Sequence, residues 1–147
     1  MDKGSFKIMK KDHTTVTVEG SIFWYEDLKI GLLRCDTGAW TLHDLKSGAR
    51  IFHPEYSMDE NGLVVDKNYF FKKKEEAFEF LRTDTLDGIP ITDFIKSQHK
   101  KYDIMDINPN VYPNTVLNKD GTQKKISVPV GDQISLFDMG FTMPERD

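Results

Sequence analysis

Residues 29–53 read Lys29-Ile30-Gly31-Leu32-Leu33-Arg34-Cys35-Asp36-Thr37-Gly38-Ala39-Trp40-Thr41-Leu42-His43-Asp44-Leu45-Lys46-Ser47-Gly48-Ala49-Arg50-Ile51-Phe52-His53. Two short clusters, Asp36-Thr37-Gly38 and Leu45-Lys46-Ser47-Gly48, interrupt three runs of strand-forming residues. Each cluster places a glycine where a hairpin turn needs positive φ. The pattern predicts three antiparallel strands over 29–35, 39–44 and 50–53. Side chains alternate across a strand, so Trp40 and Leu42 are expected on the core face of the middle strand. Thr41 and His43 are then expected on an opposite, open face.

Working outward, residues 5–10 and 14–19 alternate in the same way. Val16 and Val18 oppose Thr15, Thr17 and Glu19, and Gly20 is expected to end that strand. Downstream, 54–62 is a polar loop and 63–66 a short strand. Residues 70–82 predict a helix in which Ala77, Phe78 and Leu81 recur on one side. A second helix is expected from Thr92 to about Tyr102, with Thr92 as N-cap and Phe94, Ile95 and Gln98 along one flank. The fold class expected is α+β: an antiparallel meander of three to five strands covered by one or two helices, with an extended C-terminal arm.

Beyond Asp103 the composition changes. The run Asn108-Pro109-Asn110-Val111-Tyr112-Pro113-Asn114 breaks regular structure. Asn118-Lys119-Asp120-Gly121 is a hairpin turn that would pair 115–118 with 124–128 as a ribbon. A two-stranded ribbon alone is marginal in water, so it is expected on a partner or against the body. The chain is therefore divided into a sheet-plus-helix domain, 1–103, and an extended arm, 104–147.

Composition narrows the function. The chain has 147 residues, 38% of them hydrophobic and 12% aromatic, and carries a net charge of −4. That length accommodates one core. That charge argues against a whole-surface nucleic-acid binder, which needs clustered Lys and Arg. The single cysteine, Cys35, excludes an internal disulfide and fits a cytoplasmic location. Neither a signal peptide nor a membrane-length apolar run is expected.

The four histidines, His13, His43, His53 and His99, are too dispersed for a local metal motif. No Gly-rich phosphate loop and no Gly-x-Ser-x-Gly elbow is present. Cys35 and His43 lie on adjoining predicted strands, but a small thiol at a strand end is expected to serve packing. The expectation is a protein without catalysis, cofactor or metal.

One short motif does carry a function. Gln133-Ile134-Ser135-Leu136-Phe137 resembles the Gln-x-Ser/Asp-Leu-Phe pentapeptide by which bacterial replication and repair proteins hold the sliding clamp. A Leu-Phe pair supplies buried apolar area, and the Gln amide both donates and accepts, which fixes register. A chance match is expected in roughly one in several hundred chains of this length at average residue usage. Eukaryotic clamp peptides place two aromatics three and four residues after the aliphatic anchor. Here Met139 and Gly140 stand there, so a bacterial or phage clamp is the implied partner. The competing expectation is that Ile134, Leu136 and Phe137, continued by Phe141 and Met143, anchor the tail on the body.

The body has a resemblance of its own. Residues 29–82, a meander with a Trp in its middle strand followed by the helix start Phe71-Lys72-Lys73-Lys74-Glu75-Glu76-Ala77, are similar to the arm-type DNA-binding domains of phage integrases. The resemblance implies duplex DNA against the sheet. The candidate contacts are Lys29, Thr41, His43 and Arg50, with Arg34 and Lys46 nearby. Together these features lead to the expectation of a small clamp-docking adaptor or inhibitor of bacterial or phage origin. The alternative is a mobile-element inhibitor of a host defence system, of anti-restriction or anti-CRISPR type, with its tail packed on the body.

Overall fold

A computed structural model describes residues 1–51, 56–58, 64–66 and 70–126, the backbone alone at 56–58 and 64–66. The strands are β1 Asp2–Met9, β2 Thr15–Tyr25, β3 Leu28–Arg34, β4 Trp40–Asp44, β5 Arg50–Ile51, β6 Tyr56–Met58 and β7 Val64–Asp66, then β8 Thr85–Leu86, β9 Ile89–Pro90, β10 Thr115–Leu117 and β11 Gln123–Lys125. The helices are α1 Lys74–Thr83 and α2 Ile91–Lys101. The chain is α+β.

The meander forms as its turns dictate. Gly38 has φ +88° and Gly48 φ +78°, and β2, β3, β4 and β5 run antiparallel in sequence order. Of residues 5–10, whose partner the sequence does not reveal, 5–9 pair as part of β1 with β2, Phe6 opposite Val18. Strand β2 does not stop at Gly20. It continues to Tyr25, because the glycine serves close approach: a Cβ there would lie 2.5 Å from the Leu32 carbonyl oxygen.

The principal sheet has seven strands, and it is mixed: β10 joins the outer edge of β2 in parallel, Val116 opposite Trp24. Strand β11 pairs with β10 through the Asn118-Lys119-Asp120-Gly121 turn, with Gly121 at φ +92°. The ribbon therefore sits against the body. Asp2 secures it by accepting bonds from Thr115 Oγ1 at 2.8 Å, Lys125 Nζ at 2.9 Å and the Asn114 N–H. Burial works to raise the Asp2 carboxyl, but the bonds from Lys125, Asn114 and Thr115 together hold it below the usual carboxylate range.

Both faces of the sheet are covered. On one, Phe23, Ile30, Leu32 and Leu42 meet Ala77, Phe78 and Leu81 of α1 and Ile91 and Ile95 of α2. The Phe23 and Phe78 rings make an edge-to-face contact at 5.5 Å. Helix α2 starts one residue before the expected cap: Pro90 is its N-cap, and Thr92 is buried inside the first turn. On the other face Phe6, Ile22 and Leu45 form a second core, flanked by Ile8, Val18 and Val111. Gly31 admits Phe6, since a Cβ there would lie 2.8 Å from the ring.

The open face expected around Thr41 and His43 is thus closed. The β1–β2 hairpin curls over it, and the segment after α2 crosses beneath. That segment, assigned from sequence to an arm beginning at 104, lies on the body as far as Ile126. Asn108 fixes it: its Oδ1 accepts from the Lys7 N–H at 2.7 Å, and its Nδ2 donates to Leu45 O at 2.6 Å and Lys7 O at 3.0 Å. Trp24 Nε1 adds a bond to Pro113 O at 2.9 Å.

Candidate functional site

The five basic residues expected to face DNA do not share one surface. Lys29 is buried, its ammonium 2.7 Å from Asp106 Oδ2 and 2.6 Å from Asn108 O, with the Tyr112 ring 5.6 Å away. His43 is buried as well, its ring 6.3 Å from that of Phe6 and its Nε2 2.9 Å from Thr41 Oγ1. Lys29 and His43 are corrected from groove-reading contacts to interior groups, because the opposite face is covered. Thr41 shares that burial.

The remaining three basic residues diverge. Arg34 is exposed and pairs in register with Trp40, on the helix side of the sheet, with its guanidinium 5.5 Å from the Trp40 ring. Arg50 pairs with His43, on the opposite side, and lies 5.2 Å from the Phe70 ring. Lys46 stands half-buried in the β4–β5 turn.

His43 carries a pH consequence. Burial, aided by the charge of Arg50, lowers its pKa from 6.5 to about 4. Above about pH 6.5 the ring is neutral in folded and unfolded chains alike, and the fold has its full stability. As pH falls towards 4 the unfolded chain takes up the proton first, so stability is lost across that window, about 3 kcal/mol in total. Urea titrations at pH 7.5 and pH 4 are expected to show this loss, reduced by about that amount in His43→Gln. An equal pH dependence in the variant would contradict the assignment.

A cleft of about 720 Å³ opens between α2 and the β2–β3 turn, with Lys29, Asp44, Lys96, His99, Asp103 and Asp106 in its walls. Its charges are largely paired. Lys96 bridges Glu26 Oε1 at 2.7 Å and Asp27 Oδ1 at 3.0 Å, and Lys29 is committed to Asp106. The bond from Lys96 is the main reason that Glu26 is held below its usual range.

His99 Nε2 lies 2.5 Å from Asp44 Oδ2, and both side chains are largely buried. The same carboxylate oxygen accepts from Ser47 Oγ at 2.7 Å and from the Ser47 N–H at 3.2 Å, while Oδ1 is buried with no hydrogen-bond partner among the described residues. An aspartate that grips one ring nitrogen orients the imidazole. Here it also holds the β4–β5 turn, so the pair ties the last turn of α2 to the meander. The sequence gives no local signal for this contact, because the two residues lie 55 positions apart.

A second depression, about 320 Å³, lies on the other side of His99, and its walls are mostly apolar. Among the described residues no group of three or more His, Cys, Asp or Glu is placed to hold a metal ion. Among them, too, no helix is long and apolar enough to cross a membrane. The pentapeptide Gln133-Ile134-Ser135-Leu136-Phe137 lies outside the described residues. No family model, no curated protein and no solved structure matches the chain.

Proposed function

We propose that this chain is a small non-enzymatic adaptor or inhibitor, bacterial or phage in origin, that docks on the replication sliding clamp. The observation that carries the reading is the sequence Gln133-Ile134-Ser135-Leu136-Phe137. A peptide of this kind must be delivered from a surface, as an extended segment with a few anchors. The body supports such delivery. Strand β11 is an edge strand of the sheet, and Gln123 to Ile126 are all exposed. Ile126, the last described residue before the pentapeptide, therefore lies at the rim of the domain and not in its core.

The body's polar clusters have structural uses, which favours a scaffold over a reaction centre. Lys29 and Asn108 hold the covering segment, and Asp44 with His99 holds the hairpin turn against α2. Contact with duplex DNA would fall to Arg34, Lys46 and Arg50 on separate surfaces, so DNA has no specific docking role in this proposal.

The test is direct. Purified bacterial sliding clamp is passed over the immobilised full chain and over the peptide 133–147. Both are expected to retain it, and a scrambled peptide of the same composition is not. Failure of the peptide to retain clamp, or equal retention by the scrambled one, ends the reading.

A further inference from the structure

Helix α2 turns Ile91, Phe94 and Ile95 towards the β4–β5 edge, and the chain returns past the helix end at Tyr102 and Ile104. With Ile51 these side chains line the apolar groove of about 320 Å³. Tyr102 at its rim is 61% exposed. The volume is at the lower bound for small-molecule sites, which suits a pair of peptide side chains. Contiguous apolar surface of this kind marks an interaction site more often than ordinary surface does.

The chain itself carries a matching segment. From Ile126 to Leu136 there are ten residues, able to span about 33 Å when extended. The sheet from β11 to β5 is six strands wide, about 24 Å at ordinary strand spacing. The groove is therefore within reach. The charges also correspond. Residues 127–147 carry Asp132, Asp138, Glu145 and Asp147 against Arg146 alone. The last turn of α2 carries Lys100 and Lys101, and the Lys101 ammonium lies 5.3 Å from the Tyr102 ring at the groove's rim.

We propose that Leu136 and Phe137 occupy this groove in the absence of clamp, so that the body and the clamp compete for the same two side chains. The inference rests on the clamp-docking reading and adds a regulation to it. A sheltered peptide binds its partner with an affinity reduced by the fraction of time it is free. Sheltering nine-tenths of the time corresponds to a tenfold reduction.

Two measurements on the full chain test the proposal. In the first, a nitroxide is attached at Ser97→Cys, with Cys35→Ser removing the native thiol. The amide signals of Leu136 and Phe137 are expected to broaden. They should recover in Ala49→Trp, which fills the groove from an exposed position, and in Tyr102→Glu, which repels the acidic tail. Absence of broadening, or broadening that neither substitution relieves, overturns the proposal.

In the second, clamp affinity of the full chain is expected to be about tenfold weaker than that of the peptide 133–147, and Ala49→Trp should restore it to the peptide's value. Equal affinity of full chain and peptide overturns the groove. A peptide that fails to bind clamp removes the docking function instead, and the nitroxide measurement still decides whether the groove holds the tail.

Discussion

Replacing Leu136 and Phe137 together with alanine is expected to weaken clamp binding by more than a hundredfold. The two side chains are the apolar anchors of the pentapeptide, and each loses roughly 1.5–3 kcal/mol of transfer free energy when truncated. The lower end of the pair sum, about 3 kcal/mol, already exceeds two decades in Kd. Gln133→Ala removes hydrogen bonds worth about 1 kcal/mol net and should cost between five- and tenfold. The order matters: an anchor-driven peptide loses far more at Leu136 and Phe137 than at Gln133. Titration calorimetry of clamp with the peptide 133–147 and its variants reads both losses without the groove's competition. A double-alanine variant that binds within threefold of the parent would refute the pentapeptide as the point of contact.

That expectation rests on sequence, since residues 133–137 lie outside the described structure, and the body shows what sequence does and does not carry. The meander was legible because its determinants are local. Gly38 and Gly48 take the positive φ that their turns require, and Leu32 and Leu42 point to one core as alternation demands. The parallel contact between β2 and β10 was not legible. It joins Trp24 to Val116, and nothing near either residue indicates the other.

The basic face failed for a related reason. Polarity at Lys29, Thr41 and His43 read as exposure, but a polar side chain is tolerated inside when it is paired. Lys29 finds its partners 77 and 79 positions away. His43 is accommodated as a neutral ring beneath Phe6. The bare glycine at 31 that lets Phe6 reach the sheet was visible in the sequence, but only as a residue within a strand. Asn108 read as one member of a breaker run, although it makes more long-range bonds than any neighbour in that run.

Asn108→Ala is therefore expected to cost the fold about 3–5 kcal/mol. Asn108 is 4% exposed, and its amide satisfies the Lys7 N–H, the Lys7 carbonyl and the Leu45 carbonyl. Truncation leaves these groups without that partner in a covered place, at about 1–3 kcal/mol for each that water does not reach. The total is below the simple sum because β1 lies near the surface and admits some solvent. Asn108→Asp separates the contributions: it keeps the acceptor for Lys7 N–H and removes both donors, so it should remain destabilising and leave the Lys7 amide protected. In Asn108→Ala that amide should exchange with solvent markedly faster. Asn110→Ala, at an exposed position in the same run, should change stability by less than about 0.5 kcal/mol. Urea unfolding with hydrogen exchange at Lys7 reads these outcomes together. A loss below about 1 kcal/mol in Asn108→Ala would mean that the segment after α2 rests on the sheet without holding it. The boundary of the folded body would then retreat from Ile126 towards the end of α2, and the apolar cluster of Phe6, Leu45 and Val111 would have to keep the second face closed without it.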